Sequence, residues 1–89
     1  MRRINVLIFG NVQGIFFRTN IKRVALDLGL KGYVRNSNEE VEAVFEGEEA
    51  KIEKILEFCR IGPIGAEVNK IEIKEEEFKG EFDDFKIED

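Results

Sequence analysis

The residues best suited to chemistry lie in one short stretch, Gly10-Asn11-Val12-Gln13-Gly14-Ile15-Phe16-Phe17-Arg18. A run that reads as a strand, Ile4 to Phe9, precedes it. A helical pattern with Ile21, Val24, Ala25 and Leu28 at i, i+3, i+4 and i+7 follows it. A glycine-flanked turn between a strand and a helix start leaves backbone N–H groups without partners, beside the positive end of the helix dipole. Such a turn is a seat for an anion. Arg18, at the head of the helix, carries a planar fork of donors that suits phosphate or carboxylate better than a lysine would. Turns of this kind also occur without any ligand, and an arginine in a first helical turn is often a solvated surface residue. The stretch alone therefore leaves both readings open. It is not a dinucleotide fingerprint, because glycines at 10 and 14 do not give G-x-G-x-x-G. It is not a P-loop either, since no Gly-Lys-Ser/Thr follows.

Absences narrow the chemistry. The chain of 89 residues contains no histidine, which excludes His-based acid–base catalysis and His-ligated metal sites. The single cysteine, Cys59, cannot form an internal disulfide, which fits an intracellular protein. It falls on an apolar stripe with Ile52, Ile55 and Leu56, and no glycine-rich anion loop follows it, so it reads as a core residue. No apolar run approaches the roughly 18 residues of a membrane span. The start, Met1-Arg2-Arg3-Ile4, enters strand-like alternation without a signal-peptide core.

Net charge is −5, with 43% hydrophobic and 37% charged residues, as in a soluble globular domain. The charge is unevenly spread. Residues 1–38 hold seven basic side chains against one acidic, and residues 39–89 hold seven basic against eighteen acidic. The positive half contains the glycine-flanked loop, which favours a small anionic ligand. The alternative is that the two halves interleave in the fold. Overall acidity argues against nucleic acid, whose backbone demands a broad basic face.

The elements that must position the loop follow in order. Residues 3–9 alternate, with Ile4, Val6 and Ile8 on one side and Leu7 and Phe9 on the other, as in the middle of a sheet. The first helix spans roughly residues 18–28 and ends at Gly29, where a left-handed residue is wanted. Leu30 to Asn36 and Val41 to Phe45 read as strands joined by a hairpin through Ser37-Asn38-Glu39. A second helix begins at Glu48 and Glu49, where carboxylates suit the dipole, and Gly62-Pro63 stops it. Val68 to Ile73 forms a fourth strand, with Val68 out of phase and hence a bulge. Glu75-Glu76-Glu77 reads as a solvated turn. Phe82, Phe85 and Ile87 form a short last strand that covers the core or pairs at an edge. The order β-α-β-β-α-β predicts an α+β, ferredoxin-like sandwich over residues 1–89, with two helices on one face of an antiparallel sheet of four to five strands.

Three blocks of this sequence carry a family resemblance. Gly10 to Arg18 resembles the acylphosphatase signature G-x-V-Q-G-V-x-F-R. Leu28-Gly29-Leu30-Lys31-Gly32-Tyr33-Val34-Arg35-Asn36 resembles that family's second block, L-G-[LIV]-x-G-[WY]-V-x-N. Val41 to Gly47 is similar to its V-E-x-x-x-E-G strand. The resemblance implies a small cytoplasmic enzyme, acting as a monomer, that hydrolyses the carboxyl–phosphate bond of acyl phosphates to a carboxylate and orthophosphate. It implies no metal, no cofactor, and no nucleic-acid or membrane partner. It also implies that a phosphate-binding loop of Gly10, Asn11, Val12, Gln13, Gly14, Ile15 and Phe16 wraps the phosphoryl oxygens. The catalytic residues implied are Arg18, which binds the phosphoryl group, and Asn36, which orients the attacking water. An acyl phosphate has a good leaving group, so positioning and charge stabilisation count for more than a strong base. Phe16, Phe17 and Tyr33 are expected to pack rather than touch substrate. The 37–40 hairpin is one residue shorter than the family pattern and lacks its glycine, which puts the placement of Asn36 in question. That departure motivates the alternative, a non-catalytic ferredoxin-like module binding an anionic metabolite or a protein partner.

Overall fold

The computed structural model describes residues 1–14 and 16–88. Its elements are β1 (Arg2–Asn11), α1 (Phe17–Asp27), β2 (Lys31–Ser37), β3 (Glu40–Gly47), α2 (Glu49–Ile61), β4 (Glu67–Glu76) and β5 (Phe85–Ile87). The strands form one sheet in the order β4-β1-β3-β2-β5. β1, with apolar side chains on both faces at its end, takes a central place between β3 and β4, antiparallel to both. β2 pairs antiparallel with β3, as the hairpin requires. Among the described residues β5 departs from the antiparallel pattern, lying parallel to β2 at the edge.

The core fills the space between one sheet face and the two helices. Ile4, Val6 and Ile8 of β1 meet Val41, Ala43 and Phe45 of β3, with Val34 of β2 beside them. α1 contributes Phe17, Ile21 and Ala25, and α2 contributes Ile52, Ile55, Leu56 and Cys59, all buried. Phe85 closes the far edge by stacking on Phe45 at 5.4 Å between ring centroids. Complete burial pushes the Cys59 thiol up to about 12, consistent with a packing residue and not a nucleophile.

Two backbone features follow from the sequence. α1 ends in the double hydrogen bond of a Schellman motif, with the Gly29 N–H donating to Leu26 C=O and the Leu30 N–H to Ala25 C=O. Gly29 holds the left-handed conformation that this requires, at φ 73°. The expected bulge lies between β1 and β4, where Phe9 pairs with Lys70 but Gly10 pairs with Val68. Asn69 is the extra residue. Gly10 sits against the Glu67 carbonyl so closely that a Cβ there would overlap it.

The acidic run departs from its expected solvated turn. Glu75 and Glu76 belong to β4, opposite Ile4 and Arg3. Arg2 donates to Glu75 and Glu53, and Arg3 to Glu76, Glu81 and Glu46. These long-range partners lie outside any local pattern, and they extend the strand past the last apolar residue. The pairings also show that basic and acidic halves of the chain interleave at this end of the sheet.

Residues 77–84 carry the chain from β4 at one edge to β5 at the other. Glu46, 3% exposed, anchors this strap by accepting the N–H groups of Lys79 (3.1 Å) and Gly80 (3.2 Å). Phe82 lies edge-on to Tyr33, with the Arg3 guanidinium 5.1 Å from its ring.

Candidate active site

Two buried side chains fix the ends of the loop between β1 and α1. Val12 is 1% exposed, and Phe17, also 1% exposed, meets Phe58 of α2 edge-on at 6.3 Å. Between these anchors the chain takes a sharp path. Gly14 has φ 74° and Phe16, the N-cap of α1, has φ 61° and ψ 24°, both left-handed. Asn20 fastens the cap, its backbone N–H donating to Phe16 C=O at 3.0 Å and its side-chain amide to the same oxygen at 2.9 Å. Among the described residues, neither a side-chain cap nor an acidic residue of the first turn answers the orphan N–H groups and positive dipole end of α1.

That end of the molecule forms a pocket of about 200 Å³. Val12, Gly14, Phe16 and Phe17 line one side, Arg18 and Thr19 continue it along α1, and Asn36 and Ile87 close it from β2 and β5. Among the described lining residues Arg18 carries the only formal charge. The volume is below the roughly 300–1,000 Å³ of sites for drug-sized ligands, and suits a compact polar group.

The structure therefore brings together Arg18 and Asn36, which come from different elements. Of the expected loop, Val12, Gly14 and Phe16 line the pocket as well. Gly10 and Asn11 do not; they are the last residues of β1, paired with Val68 and Glu67. Gln13 lies beside the pocket, its side-chain amide directed to the β2–β3 hairpin. Ile15 falls outside the described residues.

The short hairpin does not carry Asn36 away. Ser37 pairs with Glu40, which leaves a two-residue connection, and Asn38 supplies the left-handed residue at φ 59°. Asparagine tolerates that conformation better than most side chains, so no glycine is needed. Phe16 is the residue whose setting differs from expectation. It is 79% exposed at the pocket rim, because its left-handed backbone turns the ring away from the core that Phe17 enters. Thr19 and Ile87 were not legible as pocket residues. Thr19 follows Arg18 and carried no signal of its own. Ile87 reaches the site only through the parallel register that places it beside Val34.

Comparisons with known proteins identify the family. The acylphosphatase family model matches residues 4–87. An acylphosphatase from Pyrobaculum aerophilum is 54% identical over 89 aligned positions, covering 98% of this chain and 94% of the relative. Among solved structures, an acylphosphatase from Coxiella burnetii superposes with a TM-score of 0.93 at 33% identity, covering 98% of this chain and 92% of its own. The crystal structure of acylphosphatase from Bacillus subtilis also gives 0.93, at 27% identity, with 98% of both chains covered. With a family match along nearly its whole length, this chain belongs to the acylphosphatase family, enzymes that hydrolyse acyl phosphates.

Proposed function

We propose that the pocket at the head of α1 is where the carboxyl–phosphate bond is split. In this reading Gly10 and Asn11 end β1, and the phosphate is bound by the 12–16 part of the expected loop. Its N–H groups and those of the first turn of α1 hold the phosphoryl oxygens, with the Arg18 guanidinium as the positive partner. The Asn36 carboxamide holds a water in line with the bond that breaks. As that bond lengthens, charge gathers on the departing carboxylate and on the phosphoryl oxygens. Donors already fixed in place stabilise it without reorganising. The carboxylate leaves without needing a proton, so no strong acid or base is required of the chain. The observation that carries the reading is that Arg18 and Asn36 line one small pocket at an uncapped helix start, with no carboxylate among its described lining residues.

The same reading takes residues 1–89 as one domain, acting as a cytoplasmic monomer on a small acyl phosphate and not on nucleic acid or a membrane. Lys70, Glu72 and Lys74 along the β4 edge support the monomer, since charged edges resist strand-to-strand pairing. The net charge of −5 disfavours a nucleic-acid backbone. The free thiol of Cys59 suits a reducing compartment.

The test is orthophosphate release from acetyl phosphate and benzoyl phosphate in the presence of a chelator. Arg18→Ala and Asn36→Ala should each lower turnover by about a hundredfold or more while the fold persists. Unchanged turnover in either variant overturns the mechanism.

A further inference from the structure

We propose that Gln13 is a positioning residue that sets Asn36 against the phosphate loop. Its side-chain Nε2 donates to two backbone carbonyls of the hairpin, Asn38 at 2.9 Å and Glu40 at 2.8 Å. Two carbonyl oxygens can be met only by the NH₂ end of a carboxamide, so both amide hydrogens are committed and the group's orientation is fixed by chemistry. The acceptors flank the tip of the turn that begins just beyond Asn36. The donor sits one residue before Gly14, inside the loop. Gln13 therefore ties the loop directly to the strand that carries Asn36, across an end of the sheet where a short turn with a left-handed Asn38 must hold its shape. Asn36 itself is exposed on the last part of β2, so little packing fixes it. The clamp supplies the constraint that packing does not.

This inference rests on the reading of Arg18 and Asn36 given above, and it predicts a division of effects. Phosphate affinity belongs to the loop N–H groups and Arg18, whereas alignment of water belongs to Asn36. Gln13→Met keeps the side-chain length and removes the donors. It should lower kcat about tenfold to a hundredfold, the range expected of a misplacement near 1 Å. Inhibition by orthophosphate should change by no more than about threefold, since the groups that bind it are left in place. In an Asn36→Ala background, Gln13→Met should cost less than about twofold more, because a residue acting through Asn36 has nothing left to position. An unchanged kcat, or equal losses in the two backgrounds, would overturn the proposal.

A second measurement does not depend on turnover. Amide hydrogen exchange at residues 37–40 should accelerate in Gln13→Met and in Gln13→Ala, and recover in Gln13→Lys, which retains a donor. Unaltered exchange in the first two variants overturns the clamp even if the enzyme is active. Accelerated exchange in a protein that leaves acetyl phosphate intact would keep the clamp and remove the catalytic reading instead.

Discussion

The two ends of the sheet treat charge in opposite ways. At the end holding Arg2, Arg3 and Glu46, the arginines are matched to carboxylates brought from α2, β3, β4 and the 77–84 strap. Hydrogen bonds donated to those carboxylates, Glu81 foremost for Arg3 and Glu53 for Arg2, hold both guanidinium groups above their usual range. At the other end the pocket lining offers Arg18 and no described carboxylate, beside an α1 start without cap or acid. The helices repeat the contrast: α2 places Glu49 in its first turn and Arg60 in its last, answering its own dipole, while α1 has neither. One end is matched by carboxylates of the chain itself, and the other presents a guanidinium and a helix start at a small pocket. Changes at the first should therefore act on stability, and changes at the second on turnover.

The largest effects should fall at the pocket end. Arg18→Ala should reduce turnover of acetyl phosphate by about a thousandfold or more, and Asn36→Ala by about a hundredfold to a thousandfold, as for loss of a fixed donor in an active site. Both should stay within about 1 kcal/mol of the parent's stability, because neither side chain is fully buried. A large loss of stability in either variant would break the division between the ends.

Glu46→Ala makes the reverse test. It leaves the Lys79 and Gly80 N–H groups without their acceptor and removes one of the carboxylates facing Arg3. The expected cost is about 2–3 kcal/mol, read as a fall in midpoint of roughly 10–20 °C, with turnover per folded molecule unchanged.

A smaller effect should come from the hairpin. Asn38→Ala places a side chain poorly suited to φ 59° at the turn and should cost about 1 kcal/mol, while Asn38→Gly should be close to neutral. Chemical denaturation of the three proteins separates these outcomes. Equal stability would mean that the turn relaxes to another shape.

The contrast between the ends also explains what could be read from sequence. The pocket end is built mostly from local signals. Glycines flank the loop, Arg18 opens an amphipathic helix, and Gly29 closes it. Asn36 lies near the end of a strand that the alternation of apolar residues makes plain. These patterns act over a few residues and survive any tertiary context that keeps the elements in place. Glu75 and Glu76 failed as a turn for the opposite reason. Their strand is held by Arg2 and Arg3, more than seventy positions away, and three successive glutamates give no hint of those partners. Ile87 was invisible as a pocket residue because only the parallel pairing of β5 with β2 brings it there. Phe16 and Phe17 show the limit most closely. Two identical neighbours part company, one to the core and one to solvent, on a single left-handed backbone conformation.

The smallest effects concern pH, and here the ends should be separable by what titrates. No described residue lining the pocket ionises between the carboxylate and arginine ranges, so kcat should carry no ionisation of the protein near neutrality. Stability should behave otherwise, with two limbs. Burial pushes the Glu42 carboxyl up, but hydrogen bonds from Asn5 and Arg35 outweigh it and leave it below its ordinary 4.5; Arg3 likewise lowers Glu81. A depressed folded value means that the unfolded chain takes up protons first. The stabilisation is present above the ordinary value and is lost as pH falls through the folded one. Cys59 works in the other direction. Its thiol is pushed from 9.0 to about 12, so its contribution is whole below 9.0 and drains away as pH rises toward 12. Cys59→Val should flatten the alkaline limb, and Glu42→Gln should reduce the acid one, in urea titrations run across pH. Retention of the alkaline limb in Cys59→Val would show that a group other than the buried thiol sets it.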